Sequence, residues 1–308
     1  MADPEPEFSY LLGMLVGRGK IIRASRGTGV QYIIEIPHKS LRINGKDASL
    51  YVRASVLDIK DALEPFIETN IAVNKGKHRT LLTFSKDGSE MLSRELLKLL
   101  GNLSSYKDMR IPQEVFSYRN DLKKEFLKGL ADVAAHIRKS NAAYGDPSGN
   151  RVYIEVPENW FLVIDICNLL KDVDVPVQDI DWAHPNFRDS KLVKYNQGNK
   201  YFWKKEHQIK IYADEFETIG FRIQHKEEML KELSNENRKE WNKRKHRNST
   251  SLEDVHHKYY WESSGRVKIR AIHPMEDDPS IPEVIRGKHY NSWKQLAQDL
   301  GYGEGTHE

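Results

Sequence analysis

FSYLLGMLVGRGKII (residues 8–22) and KEFLKGLADVAAHIR (residues 124–138) decide how the chain is read. In the first, Phe8, Leu11, Leu12, Leu15 and Val16 recur at helical spacing, and Gly13 and Gly17 form a second line four residues apart. Small residues at that interval let another backbone come close. In the second stretch Gly129 stands where Gly13 stands in the first, and the bulkier Val133 follows four residues later. Two such helices are expected to pack side by side along their glycines.

The segment after each helix also repeats. KIIRAS (20–25) alternates, turns at Gly27-Thr28-Gly29, and returns as VQYIIEIP (30–37), which is a hairpin pattern. AHIRKS (135–140), the longer turn NAAYGDPSGN (141–150) and RVYIEVP (151–157) repeat it. Gly129 follows Gly13 by 116 residues and Pro157 follows Pro37 by 120, the difference falling in the longer turn. Beyond the first hairpin a polar stretch with an Asn44-Gly45 turn leads to a helix that Ser55 should cap, with Asp58 at the capping-box position and Pro65 bending or ending it. Short strands at 71–74 and 79–85 and an amphipathic helix closing near Gly101 complete the unit. After the second hairpin come a helix over 158–173, a strand VQDIDW (177–182), a polar excursion over 183–200, a strand FWKKEHQIKIYA (202–213) and a helix over 214–234. The fold class is therefore α/β in the α+β sense, with two αββαββα repeats over 1–102 and 119–234. A linker (103–118) joins them, and a charge run and small C-terminal extension (235–308) follow. A period this long suits two fused subdomains rather than a solenoid.

Composition narrows the function classes. With 39% hydrophobic and 30% charged residues the 308-residue chain is globular with a busy surface. Its net charge of +3 is too small to argue for nucleic acid, so only local placement of charge can. Cys167 is the single cysteine, in the apolar run FLVIDICNLL, and reads as core filler in a reducing, intracellular setting. No apolar run approaches membrane-spanning length, so a signal peptide and a membrane are not expected. GRGK (17–20) lacks the glycine spacing and the hydroxyl of an ATP-binding loop. His256, His257, His273, His289 and Asn291 do not have the spacing of a metal nuclease of the His-Asn-His type.

YLLGMLVGRGKI (10–21) and FLKGLADVAAHI (126–137), each followed by a hairpin, resemble the two motifs of the single-chain LAGLIDADG homing endonucleases. The resemblance covers about residues 8–234 and implies a DNA-binding saddle whose motif helices pack through Gly13, Gly17 and Gly129. It also implies an acidic metal ligand at each helix end, because Mg²⁺ takes hard oxygen ligands and the metal activates water at the scissile phosphate. Arg18 and Ala134 stand at those two positions, so both acids are missing. Arginine cannot ligate a metal, and at the centre of a saddle it would pair with a phosphate. Asp132 is the remaining weak candidate for a catalytic acid, and Glu7 a weaker one.

The resemblance further implies that alternate strand residues face DNA. Lys20, Arg23, Arg26, Gln31, Lys75, Lys77, Arg79, Arg138, Lys139, Arg151, Lys204, Lys205, His207 and Lys210 crowd into strands and hairpins, while the acids lie mostly in helices. With Arg18 they form the expected nucleic-acid-binding set. The sequence thus favours a double-stranded DNA-binding protein that reads the major groove, has lost its nuclease chemistry and needs no cofactor, acting either as the recognition subunit of a larger complex in which a protein partner supplies catalysis or as a regulator. The alternatives are an active Mg²⁺-dependent endonuclease with a rearranged site and an RNA-binding or splicing-assistance protein.

Overall fold

A computed structural model describes residues 4–41, 48–101, 103–139, 149–157, 159–177, 179–181, 206–247 and 268–269. By internal contact the chain divides into two units, Met1–Ile154 with Tyr212–Arg238, and Glu155–Ile211 with Lys239–Glu308. This division does not follow the repeats: the first helix and hairpin of the second repeat belong to the same unit as the whole first repeat.

In the first repeat the order is α1 (Pro6–Arg18), β1 (Gly19–Arg23), β2 (Gly29–Pro37), a 3-10 turn (His38–Leu41), α2 (Ala48–Ile67), β3 (Ala72–Lys75), β4 (Arg79–Asp87) and α3 (Met91–Leu100). The second has α5 (Asn120–Ala134), β5 (Ala135–Arg138), β6 (Arg151–Pro157), α6 (Trp160–Asp172), β7 (Asp179–Asp181), β8 (Glu206–Tyr212), α7 (Ala213–Phe216) and α8 (Gln224–Arg247), after a one-turn helix α4 (Gln113–Phe116). A two-residue strand β9 (Lys268–Ile269) runs parallel to β7. The αββαββα order therefore appears twice, as the sequence pattern predicts.

The four strands of the first sheet lie in the order β1-β2-β4-β3, all antiparallel. Val30, Tyr32, Ile34 and Ile36 on β2 and Thr80, Leu82 and Phe84 on β4 are buried on one face, with the Tyr32 and Phe84 rings stacked at 5.0 Å. The intervening residues look outward, the two-residue period that puts one face of a sheet on a core. In the second repeat β5 pairs antiparallel with β6 and β7 with β8.

Between α1 and α5 the packing is closest at the glycines. A Cβ on Gly13 would sit 2.0 Å from the Phe126 carbonyl oxygen, and one on Gly129 would sit 2.0 Å from that of Tyr10. Gly17 is less tight, meeting Val133 Cγ2 at 3.0 Å. Leu11, Leu12, Leu15, Phe126, Leu127 and Leu130 are fully buried on these two helices.

Three local expectations are corrected. Helix α2 begins at Ala48, so Ser55 is not its cap: it lies inside the helix and donates its hydroxyl to the Tyr51 carbonyl at 2.7 Å. The helix expected over 214–234 is two, because the chain stops at Phe216, passes Gly220 at φ +72° and restarts at Gln224. Residues 103–118 do more than link: Ile21 donates to Ser104 O at 3.0 Å and Tyr106 to Gly19 O at 2.9 Å, which ties this segment to the edge of β1. The Asn44-Gly45 turn, the 183–200 excursion and the extension beyond Arg247, except Lys268–Ile269, lie outside the described residues.

Candidate nucleic-acid interface

The strand registers decide which candidate side chains share a face. On the first sheet Lys20 lies opposite Ile33, Ile22 opposite Gln31, Gln31 opposite Ser85 and Pro37 opposite Arg79. Lys20, Gln31 and Arg79 therefore belong to the outward face. Arg79 is held by Glu35 at 2.9 Å. Arg23 and Lys75 have the parity of the covered face and lie exposed on the edge strands; Arg23 donates to the Gly101 carbonyl at 2.9 Å, beyond the last turn of α3. Arg26 and Lys77 sit exposed in the turns.

The second sheet carries the denser cluster. His136 lies opposite Tyr153, and Arg138 opposite Arg151, all four with outward parity. The His136 and Tyr153 rings stack at 5.2 Å with 7° between their planes, and the Arg138 guanidinium lies 4.1 Å from the Tyr153 ring centre. Arg151 lies over Tyr212 at 5.4 Å. Neither arginine forms an ion pair with a carboxylate among the described residues. Burial alone would push the Tyr153 phenol up, but the two arginine charges pull it below its usual value. Like charges directly across a strand pair are unfavourable, and aromatic stacking offsets only part of that cost. An anion between them would remove it.

Several sequence candidates fall elsewhere. Arg18 is only 4% exposed, and its guanidinium lies 5.5 Å from the Tyr106 ring, so it does not present its charge to a groove as the motif position implies. His207 has the parity of the buried Ile209 and Ile211 and is 2% exposed, which removes it from the outward face. Lys210 has outward parity, opposite Asp179, yet it is buried. Lys139 reaches Glu236 at 2.6 Å, so its charge is met within the protein. Lys204 and Lys205 lie outside the described residues. His136, Tyr153 and Tyr212 join this cluster without having been candidates in the sequence; the signal available was the 116-residue offset of the two motifs, which puts His136 at the place of Lys20.

Asp132 is fully buried between α5 and the start of α8. It accepts from the Tyr10 hydroxyl at 2.7 Å and from the backbone N–H groups of Arg222 and Ile223 at 3.1 and 3.5 Å. The carboxylate thus holds the two residues that lead into α8, whose first N–H, that of Gln224, goes to Asp58 at 2.9 Å. Lys226, itself buried, donates to the Ala131 and Asp132 carbonyls at 3.1 and 2.9 Å, the favourable end of the α5 dipole for a cation. Arg222 bonds Glu125 at 2.9 Å, reaches Glu7 at 3.4 Å, and lies 4.5 Å from the Tyr10 ring centre. Glu7 and Asp132, the two acids considered for catalysis, are therefore both engaged in one internal network. Among the described residues no group of three or more His, Cys, Asp or Glu is placed to hold a metal ion.

Next to this network His225 lies against Tyr51, ring centres 4.9 Å apart, and neither of its nitrogens has a hydrogen-bond partner among the described residues. Burial, and secondarily the Lys226 charge, depress its pKa from 6.5 to about 4. A depressed pKa means that the unfolded chain takes the proton first. The contribution is present above pH 6.5 and lost as pH falls through 4. Urea midpoints measured between pH 7 and 4 should fall for the native protein, and His225→Asn should flatten that part of the slope.

No family model matches the chain, and no curated protein matches it. Among solved structures, a complex of the homing endonuclease I-DmoI with its target DNA is similar at 16% identity and a TM-score of 0.37, over 67% of this chain and 86% of that one. The homing endonuclease I-WcaI bound to its DNA recognition sequence is similar at 12% identity and a TM-score of 0.38, over 71% and 82%. The N-terminal LAGLIDADG domain of DUF199/WhiA is similar at 13% identity and a TM-score of 0.34, over 73% and 84%. No helix among the described residues is long and apolar enough to cross a membrane.

Proposed function

We propose that this chain binds double-stranded DNA through the outward faces of its two sheets and does not cut it. The observation that carries this reading is the Arg138–Arg151 pair, two cations directly opposite each other on an outward face with no carboxylate partner among the described residues. Such a pair is costly without an anion and suited to a phosphate or to the O6 and N7 acceptors of guanine. The motif resemblance and the repeated αββαββα order support the same partner. Loss of cutting is supported by Arg18 and Ala134 at the motif acid positions and by the engagement of Asp132 and Glu7 in hydrogen bonds and an ion pair. A second protein would then supply any catalysis that follows binding.

Fluorescence anisotropy of the full chain with labelled duplex, titrated at several salt concentrations, tests the reading. Binding should weaken as salt rises, because each neutralised phosphate releases counterions. Arg138→Gln/Arg151→Gln should weaken binding about 10- to 100-fold and reduce the salt slope by about two. No duplex binding at low salt, or tighter binding of structured RNA, would sink the proposal.

A further inference from the structure

The outward face of the first sheet differs in kind from that of the second. Ile22 is 49% exposed on it, and Ile33 and Leu81 are partly exposed at its centre. Ser105 bridges antiparallel to Lys20, a register that brings Leu103, 39% exposed, to the row of Ile22. Gln31 and Thr83 supply the hydrogen-bonding groups between them. Glu35 and Asp87 are the two acids at outward positions of β1, β2 and β4; Arg79 holds the first, and the second, at the end of β4, accepts from the Thr28 hydroxyl.

Apart from Lys20, which lies opposite Ile33, and the Arg79–Glu35 pair, charge gathers at the two ends. Because Gly29 pairs with Asp87 and Pro37 with Arg79, the β1–β2 turn lies at one end and the β3–β4 turn at the other. Arg26 is exposed at the first end, and Lys75 and Lys77 at the second. None of these three makes an ion pair among the described residues. Nine residues of strand separate the ends, roughly 30 Å at about 3.3 Å per residue.

We infer that this face reads a thymine-rich block of duplex, with Ile22, Ile33 and Leu81 against thymine methyl groups, Gln31 on adenine, and the end cations on flanking phosphates. This rests on the duplex-DNA reading above and adds the class of sequence that the first sheet selects. An aliphatic centre with cations at both ends complements a groove whose floor is apolar and whose edges are anionic. In the major groove thymine alone presents a C5-methyl, and adenine offers the N6 donor and N7 acceptor that a side-chain amide matches. A two-stranded ribbon fits that groove.

The test uses the full chain. Duplexes bound from a randomised pool are sequenced, and the preferred duplex is remade with deoxyuridine for thymidine, which removes only the C5-methyl. Enrichment of an A·T block is expected, with an affinity loss on uracil substitution of about fourfold per contacted methyl. Ile22→Ser, at a half-exposed position, should shrink that uracil penalty and weaken binding of the preferred duplex while leaving the slope of binding on salt unchanged. Leu81→Ser is the second variant, and should act in the same direction. If no duplex binds, the function proposed above fails and this inference with it. If duplex binds without A·T enrichment, or thymine and uracil duplexes bind equally, only this inference is overturned. A uracil penalty untouched by both variants also overturns it, the result expected if an acidic protein surface covers this face.

Discussion

Gly13→Ala is expected to lower the unfolding free energy by about 3 kcal/mol or more, even though alanine is the better helix former by about 1 kcal/mol. The new methyl would lie 2.0 Å from the Phe126 carbonyl oxygen, a backbone atom in the middle of α5 that cannot rotate away. Either the two helices separate along their length, loosening the buried Leu11, Leu12, Leu15 and Leu130, or the chain fails to close. Gly129→Ala meets the Tyr10 carbonyl at the same distance and should cost as much. The double variant should cost less than the two singles together, because helices already forced apart by one methyl have room for the other. Gly17→Ala faces the end of the Val133 side chain at 3.0 Å and should be milder; Gly29→Ala, whose nearest neighbour is Ala24 Cβ at 3.8 Å, serves as the near-neutral control. Urea unfolding followed by far-UV circular dichroism measures all five variants. Equal midpoints for Gly13→Ala and Gly29→Ala would mean that the seam is not where the stability lies.

The seam was readable because its signal is local: glycines four apart on one helix and a matching glycine 116 residues later need no knowledge of the rest of the chain. The same holds for the alternation of β2 and β4, which gives the element order and the covered face directly. Reading charge onto a face is harder. Parity puts Lys20, Arg79 and Arg151 on outward faces once the strands are known. A cation count has no such information, so it admitted His207, which parity turns inward, and Arg18, which the 103–118 segment covers through Tyr106. That segment looked like a linker because its ties to β1 are backbone hydrogen bonds, which leave no residue-type signature. The break at Phe216–Gln224 was hidden for a similar reason: charged residues on both sides of it satisfy a helical pattern, and the residues that lead into the restart are held by a carboxylate about 90 residues away.

That distant carboxylate sets the second large effect. Asp132→Ala should cost about 3–5 kcal/mol, the range for leaving a buried charged partner unmatched. It would strand the Tyr10 hydroxyl and the Arg222 and Ile223 N–H groups, and leave Lys226 without its counter-charge. Asp132→Asn keeps an acceptor and the shape, so its cost should be smaller. Burial holds Asp132 above the usual carboxylate range, opposed chiefly by Lys226, and burial lowers Lys226 from 10.5 to about 8 against the pull of Asp132. The sign of each effect depends on which state binds the proton more tightly. The raised Asp132 contributes most below its unfolded pKa and loses that contribution as pH rises through its folded value. The lowered Lys226 contributes above 10.5 and loses its contribution as pH falls through about 8. Stability from the lysine should therefore climb between pH 8 and 10.5, and Asp132→Ala, by removing the charge that supports the ammonium, should carry that climb to lower pH. A metal-binding aspartate behaves differently. If Asp132 serves the fold, millimolar Mg²⁺ leaves the thermal midpoint of native protein and Asp132→Asn unchanged, and the variant binds duplex as the native chain does. A midpoint that rises with Mg²⁺ in the native protein and not in Asp132→Asn would return this carboxylate to a metal site and reopen DNA cleavage as the activity.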